Sequence, residues 1–345
     1  MNKPHLKKVL LLHTGGTFGM AFGQASAEHV HLTPPELLQN LFVQVPELKK
    51  LAKLELRVLC NLDSSDMNPE VWKQIAQTIE AEWDQFDGFV VIHGTDTLAY
   101  SAAAVSFFLS GLTKSVVFTG SQRPLAELRT DARANIIDSV ELATTGIPEV
   151  MVCFDNKVHR GTRATKHSNE HMQAFRSVNI SQLGVFGVHF RLNKRLALPR
   201  VPELARKIPS VDLRISSGIF VLDAVPGVLF PEQMVEPLLS NVEGFVLRGF
   251  GSGNLPLAKG RFEGLCQKAL TRKIPVVMAT QCQAGTVNLK NYANGRAFEN
   301  QQVISALDMS FESLTVKLMV MLGRKIPFEQ RHAFFATPLA AECET

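Results

Sequence analysis

Thr95 and Asp96 stand in VVIHGTDTLAY (90–100), where an apolar run ends in a hydroxyl and a carboxylate before small residues resume. Two chemistries fit that pattern. Side-chain oxygens at the start of a helix accept hydrogen bonds from its free N–H groups, which is capping. A threonine hydroxyl can also react, but only if a neighbouring group takes its proton. Such a base contributes about 10²–10⁴-fold in rate. GTRATKHSN (161–169) supplies a candidate acceptor in Lys166, within a polar stretch after the apolar VMVCF. Desolvation favours the neutral form of a lysine, so a partly dry site would suit it. A solvated loop lysine is the competing reading.

Three other apolar runs end in similar residues: Thr14-Gly15-Gly16-Thr17, Asp63-Ser64-Ser65-Asp66 and Gly120-Ser121-Gln122. Each alone is an ordinary cap. Four of them on one edge of a sheet would make a site, because ligands bind outside the carboxyl ends of parallel strands. The chain lacks the GxxxxGK[ST] phosphate loop, and TGGTFGM does not fit GxGxxG, which argues against nucleotide binding. The GxSxG nucleophile elbow is missing as well. His167, Glu170 and His171 match the inverted zinc-peptidase pattern HxxEH. That motif needs a helix and a third protein ligand. Its flanks lack a helical stripe, so no metal is expected.

The elements that must carry these residues follow from hydrophobic periodicity. KVLLLH (8–13), LELRVL (54–59), GFVVIH (88–93) and SVVFTG (115–120) read as strands. Asn68-Pro69-Glu70 opens a helix with Val71, Ile75 and Ile79 on one stripe. Thr130 or Asp131 caps another that runs to about Thr145, with Ile136 and Val140 inward and Gly146 as its stop. The rhythm breaks in the proline- and charge-rich stretch from about 190 to 212. It then resumes with strands at 244–250 and 274–281, a helix at 262–273, and a helix near 310–322 presenting Leu314, Leu318 and Met321. The expected fold class is α/β: a larger N-terminal domain with a mostly parallel sheet flanked by helices, plus a smaller C-terminal α/β domain. The expected boundaries are 1–193 for the domain carrying the site, 194–212 for a linker and 213–345 for the second domain.

The 345 residues suffice for sizeable cores in both domains. Net charge is a mild +4 without a basic block, so no nucleic-acid partner is expected. The N-terminal apolar run, Val9 to Leu12, is too short for a signal-peptide core, and no stretch approaches a membrane span. Five singly spaced cysteines read as reduced thiols of a cytoplasmic protein.

LLHTGGTFGM, LDSSDMNPEVW, VVIHGTDTLAYSAAAVSFFL, TGSQRPLAELRTDARANI and RGTRATK lie in the order and approximate spacing of the bacterial-type L-asparaginases. The similarity continues through VLRGFGSGN and ATQCQAGTVNLKNYANG, and the chain most resembles the cytoplasmic type I branch. The resemblance implies hydrolysis of L-asparagine to L-aspartate and ammonia, with no cofactor, by a homodimer or homotetramer. It implies Thr17 as the nucleophile and Thr95, Asp96 and Lys166 as the proton-handling triad. Asp63, Ser64 and Ser65 would hold the amino-acid end of the substrate, and Ser121 would lie near its side-chain amide. Arg248 and Cys282 match two positions of an allosteric asparagine site in some type I relatives. One departure stands out. The family has a tyrosine in the mobile loop after TGGT, whereas the tyrosines here are Tyr100 and Tyr292. An ungapped count from Val45-Pro46-Glu47 puts His31 in its place, as the expected lid residue. Two alternatives accompany the hydrolase reading: an asparagine or aspartate sensor with weak catalysis, and an amidohydrolase preferring glutamine or another small amide.

Overall fold

The structure is a computed structural model that describes residues 6–22, 29–31, 36, 41–199, 208–228, 231–257 and 260–344. It divides into two compact units, Met1–Leu213 and Arg214–Thr345.

In the first unit the apolar runs become β1 (Lys8–Gly15), β2 (Lys53–Leu62), β3 (Gly88–Ile92), β4 (Ser115–Thr119) and β5 (Val150–Phe154). These five are mutually parallel in the order β2-β1-β3-β4-β5. β3, β4 and β5 are buried at every position, which is why their sequences are continuous apolar runs and do not alternate. β6 (Lys157–Arg160) turns back antiparallel to β5 and extends the sheet. β7 (Ala164–Lys166) and β8 (Phe175–Ser177) form a separate two-stranded hairpin, and β9 (Gly184–Phe186) and β10 (Phe190–Leu192) complete the outer edge of the sheet. The larger sheet is therefore mostly parallel, as expected, with an antiparallel margin that the sequence rhythm does not reveal.

Helices cover both faces. In α1 (Pro69–Ala81), Asn68 accepts hydrogen bonds from the Glu70 and Val71 amides, and Pro69 occupies the first position, where no amide is needed. Its Val71, Ile75 and Ile79 are buried. α2 (Leu98–Phe108) is buried on nearly all sides and starts directly after the β3 tip. α3 (Ala132–Ala143) places Ile136 and Val140 in one cluster with Val9, Leu11, Val90, Ile92 and Val117, the alternate residues of one sheet face. Each such side chain contributes about 1.5–3 kcal/mol on burial. The described residues of 194–212 group with this unit. Leu196 packs on its core, the Leu198 amide donates to Glu149, and Ser210–Val211 pairs with Leu109–Ser110.

The second unit is a four-stranded parallel sheet in the order β11 (Ile219–Asp223), β12 (Gly244–Gly249), β13 (Val276–Thr280) and β14 (Ile304–Ser305). α4 (Arg261–Thr271) and α5 (Phe311–Gly323) complete its core, with Leu314, Leu318 and Met321 inward. α5 also carries a charge into the interior. Lys317 is fully buried, and its ammonium donates to Glu342 (2.6 Å) and to the carbonyls of Phe335 (2.8 Å) and Thr337 (2.9 Å). Glu342 in turn accepts from the Leu339 and Ala340 amides. No helix among the described residues is long and apolar enough to cross a membrane.

Candidate active site

The strand order 2-1-3 fixes where a ligand belongs. Chain connections leave in opposite directions from β1 and β3, which opens a crevice beyond their carboxyl ends. Thr17 follows β1, Asp63 to Ser65 follow β2, Thr95 and Asp96 follow β3, and Ser121 follows β4. All four sets face one edge.

Glycines let these tips touch. A Cβ on Gly16, which has φ +83°, would lie 2.4 Å from the Gly94 Cα, and one on Gly94 would lie 2.7 Å from the Ser64 side chain. Backbone meets backbone there, a contact that only glycine permits. Thr17 and Thr95 each lie one residue beyond this contact. β2 reaches the junction through an irregularity: His13 and Gly15 of β1 pair with Val58 and Leu62, so extra β2 residues bulge between them. The Cys60 thiol in that bulge donates to the Thr14 carbonyl at 3.2 Å.

Lys166, 71 residues from Thr95 in sequence, is brought back by β7 pairing with β8. Its ammonium donates to the Thr95 hydroxyl at 2.7 Å and to Asp96 Oδ1 at 2.6 Å. The Lys166 side chain is 16% exposed, but Asp96 remains 66% exposed and open to a cationic ligand. Asp63 caps a short turn, its carboxylate accepting from the Ser65 amide and hydroxyl. Ser64 is buried, and its carbonyl accepts from the Thr97 hydroxyl at 2.6 Å. Ser121 is buried, and its hydroxyl has no hydrogen-bond partner among the described residues. Thr17 opens a short 3-10 turn and is half-buried.

Sequence reasoning missed the groups that hold these residues. The Trp72 indole donates to Ser101 Oγ (2.8 Å), Ser101 contacts His93 Nε2 (2.8 Å), and His93 Nδ1 contacts the Gly94 carbonyl (2.7 Å). A carbonyl only accepts, so neutral His93 carries its proton on Nδ1 and takes one from Ser101 on Nε2. Burial pushes His93 down to about 4, against the smaller opposing effect of the Gly94 carbonyl. An unfolded histidine titrates near 6.5, so this contribution to stability is complete above about pH 6.5 and lost as pH falls towards 4. His93→Gln removes that dependence. The stability gap between wild type and His93→Gln should shrink by about 2 kcal/mol from pH 7.5 to pH 5 in denaturant titrations. A gap independent of pH would mean that His93 is not held neutral.

At β4, Asp131 accepts from the Gln122 and Arg123 amides, while the Thr130 hydroxyl receives the Ala132 amide. The expected cap of α3 is therefore divided: Thr130 serves the helix and Asp131 reaches back to the strand tip. The Asn135 amide donates to the Gly120 carbonyl at 3.0 Å. Asp131 and Asn135 had given no signal beyond helix position. His167, Glu170 and His171 lie in a turn between β7 and β8, not on the helix that the HxxEH motif needs.

Residues 8–198 match the family model described as asparaginase, N-terminal, and residues 219–335 match the glutaminase/asparaginase C-terminal domain. The chain belongs to the asparaginase family. It is 37% identical over 328 residues to L-asparaginase 1 of Escherichia coli strain K12, covering 94% of each chain. The solved structure of L-asparaginase I from Vibrio cholerae matches with a TM-score of 0.86 and 32% identity, covering 99% of this chain and 100% of that one. The thermostable L-asparaginase from Thermococcus kodakarensis matches with a TM-score of 0.87 and 30% identity, over 98% and 99% of the two chains.

Two further expectations from the asparaginase resemblance fall elsewhere. Arg248 and Cys282 lie at the carboxyl ends of neighbouring strands β12 and β13. The Arg248 guanidinium pairs with Asp223 at 3.0 Å and sits 4.5 Å above the Phe311 ring, while Cys282 is exposed. His31 ends a short strand paired with Met20–Phe22, and its side chain lies outside the described residues.

Proposed function

We propose that this asparaginase-family chain hydrolyses L-asparagine to L-aspartate and ammonia through an ester on Thr17. The observation that carries the reading is the Lys166–Thr95–Asp96 cluster, with bonds of 2.7 and 2.6 Å, at the crevice beside Thr17. The free face of Asp96 takes the substrate ammonium in a charge-assisted bond. Asp63, Ser64 and Ser65 hold the amino-acid end, and Ser121 lies by the side-chain amide. The Thr17 hydroxyl attacks the amide carbon, its proton passing to the Thr95–Lys166 relay, and backbone N–H groups at the turns stabilise the oxyanion. The proton returns to the leaving nitrogen, which departs as ammonia. Water then cleaves the ester by the same relay and frees aspartate and Thr17.

In this reading residues 1–193 carry the site, 194–212 connect, and 213–345 form the second domain of a cytoplasmic homodimer or homotetramer. His31 closes the loop in place of the family tyrosine, and Arg248 and Cys282 belong to a regulatory asparagine site. Asparagine and glutamine differ by one methylene, which a pocket separates by only about 1–3 kcal/mol. The test is therefore a steady-state panel of asparagine, glutamine and isoaspartyl peptides, read as ammonia or amine release. Asparagine should give the highest kcat/KM. Binding of asparagine with no turnover would favour the sensor, and a higher value for another amide would change the substrate.

A further inference from the structure

The relay has a fourth member. Gln122, at the tip of β4, places Oε1 3.2 Å from the Thr95 hydroxyl and Nε2 3.3 Å from the His171 carbonyl. The two ends of this amide are not interchangeable. A backbone carbonyl only accepts, so the NH₂ group must face His171 and the oxygen must face Thr95. Thr95 then has to donate its single proton to Gln122. Lys166 approaches the same hydroxyl from the other side at 2.7 Å, and an ammonium only donates, so Thr95 accepts there. The proton directions are therefore Lys166 to Thr95, Thr95 to Gln122, and Gln122 to the His171 carbonyl.

That direction opposes the one the chemistry needs. In the proposed hydrolysis, which this inference builds on, Thr95 must receive a proton from Thr17 and pass its own to Lys166. At rest its hydroxyl proton points away from Lys166. We propose that Gln122 is a positioning residue that holds the Thr95 hydroxyl in this outward direction and so sets how readily the triad gives up its proton. A hydroxyl that donates to an amide oxygen is a better acceptor on its other side, because chains of hydrogen bonds polarise one another. Gln122 thereby favours the protonated form of the relay. Its own placement is firm, since Asp131 holds its backbone amide at 2.9 Å and Asp131 itself receives Asn135 Nδ2 at 3.1 Å.

Among the described residues, the following charged and titratable groups stand around the hydroxyl and its contacts. Asp96 adjoins it on the same strand tip, Lys166 faces it from β7, and Asp131 lies behind Gln122 at the start of α3. His93 precedes it beneath the sheet edge and is held neutral by burial. His171 faces Gln122 through its carbonyl. A neutral change at position 122 therefore acts on the Lys166–Asp96 pair through Thr95, whereas a charged one also acts on it directly.

Two substitutions give opposite signs. Gln122→Met keeps an unbranched side chain and removes the acceptor. The acidic limb of the kcat/KM profile for asparagine should move to lower pH by roughly half a unit or more. Gln122→Glu keeps the shape, takes a stronger bond from Thr95 and adds a negative charge near the ammonium. The limb should move to higher pH by about one unit. A purely structural role would lower kcat in both variants and leave the limb in place. The same order should appear without catalysis, in the pH at which the ¹³Cε resonance of Lys166 titrates in lysine-labelled protein, assigned by its loss in Lys166→Met. Limbs and resonances that stay fixed, or that move in one direction for both variants, overturn the proposal. If wild type releases no ammonia, the asparaginase reading falls, and the resonance order still decides the role of Gln122.

Discussion

Thr17→Ala should leave a folded protein whose kcat for asparagine has dropped by roughly 10⁴-fold or more, the scale on which loss of a nucleophile is felt. KM should change little. The groups assigned to binding, Asp96 among them, lie on other strand tips, and Thr17 itself only opens a half-buried turn. Thr17→Ser keeps a hydroxyl at the junction and should recover most of the rate. Steady-state ammonia release with calorimetric aspartate binding separates the outcomes. Equal turnover in wild type and Thr17→Ala would remove the acyl-enzyme, and lost binding together with lost turnover would mean that the turn had collapsed.

Lys166→Met should cost about 10²–10⁴-fold in kcat, the range for loss of a proton-transfer group. Lys166→Arg is the sharper control. It keeps the charge and can still reach Asp96, but a guanidinium does not deprotonate in a protein, so it should not restore activity. Asp96 is mostly exposed, and its release should cost little stability. If Lys166→Arg works as well as wild type, the residue acts only as a fixed charge and the relay is wrong.

The sheet was legible wherever burial on both faces forced continuous apolar runs, as in β3 and β4, and wherever a cap was chemically marked, as at Asn68-Pro69. The antiparallel margin was not. Strands of three residues, such as β7 and β9, carry too few side chains for a period to show. The return of Lys166 to Thr95 was therefore a question that residue types could raise and only the β7–β8 pairing answers. Four tips on one edge could be read because threonine, serine and aspartate advertise themselves after apolar runs. Gln122 could not. A neutral amide has no charge or capping preference to mark it, and its meaning comes from a carbonyl in a distant turn. The chain from 194 to 212 carries a linker's prolines, yet Leu196 and Glu149 tie its described part to the first unit through contacts that composition does not encode.

The ammonium of Lys317, sealed inside α5 with Glu342 as its counter-charge, bears on how the chain is made. A ribosome delivers Lys317 25 residues before the acid that neutralises it. Until that acid emerges, closing the second core means dehydrating a lone cation, at a cost of several kcal/mol. On nascent chains held at the ribosome through an added C-terminal spacer, the second half of the molecule should therefore become resistant to protease only once residue 342 is free of the exit tunnel. The first half, with its sheet complete far upstream, should be resistant well before.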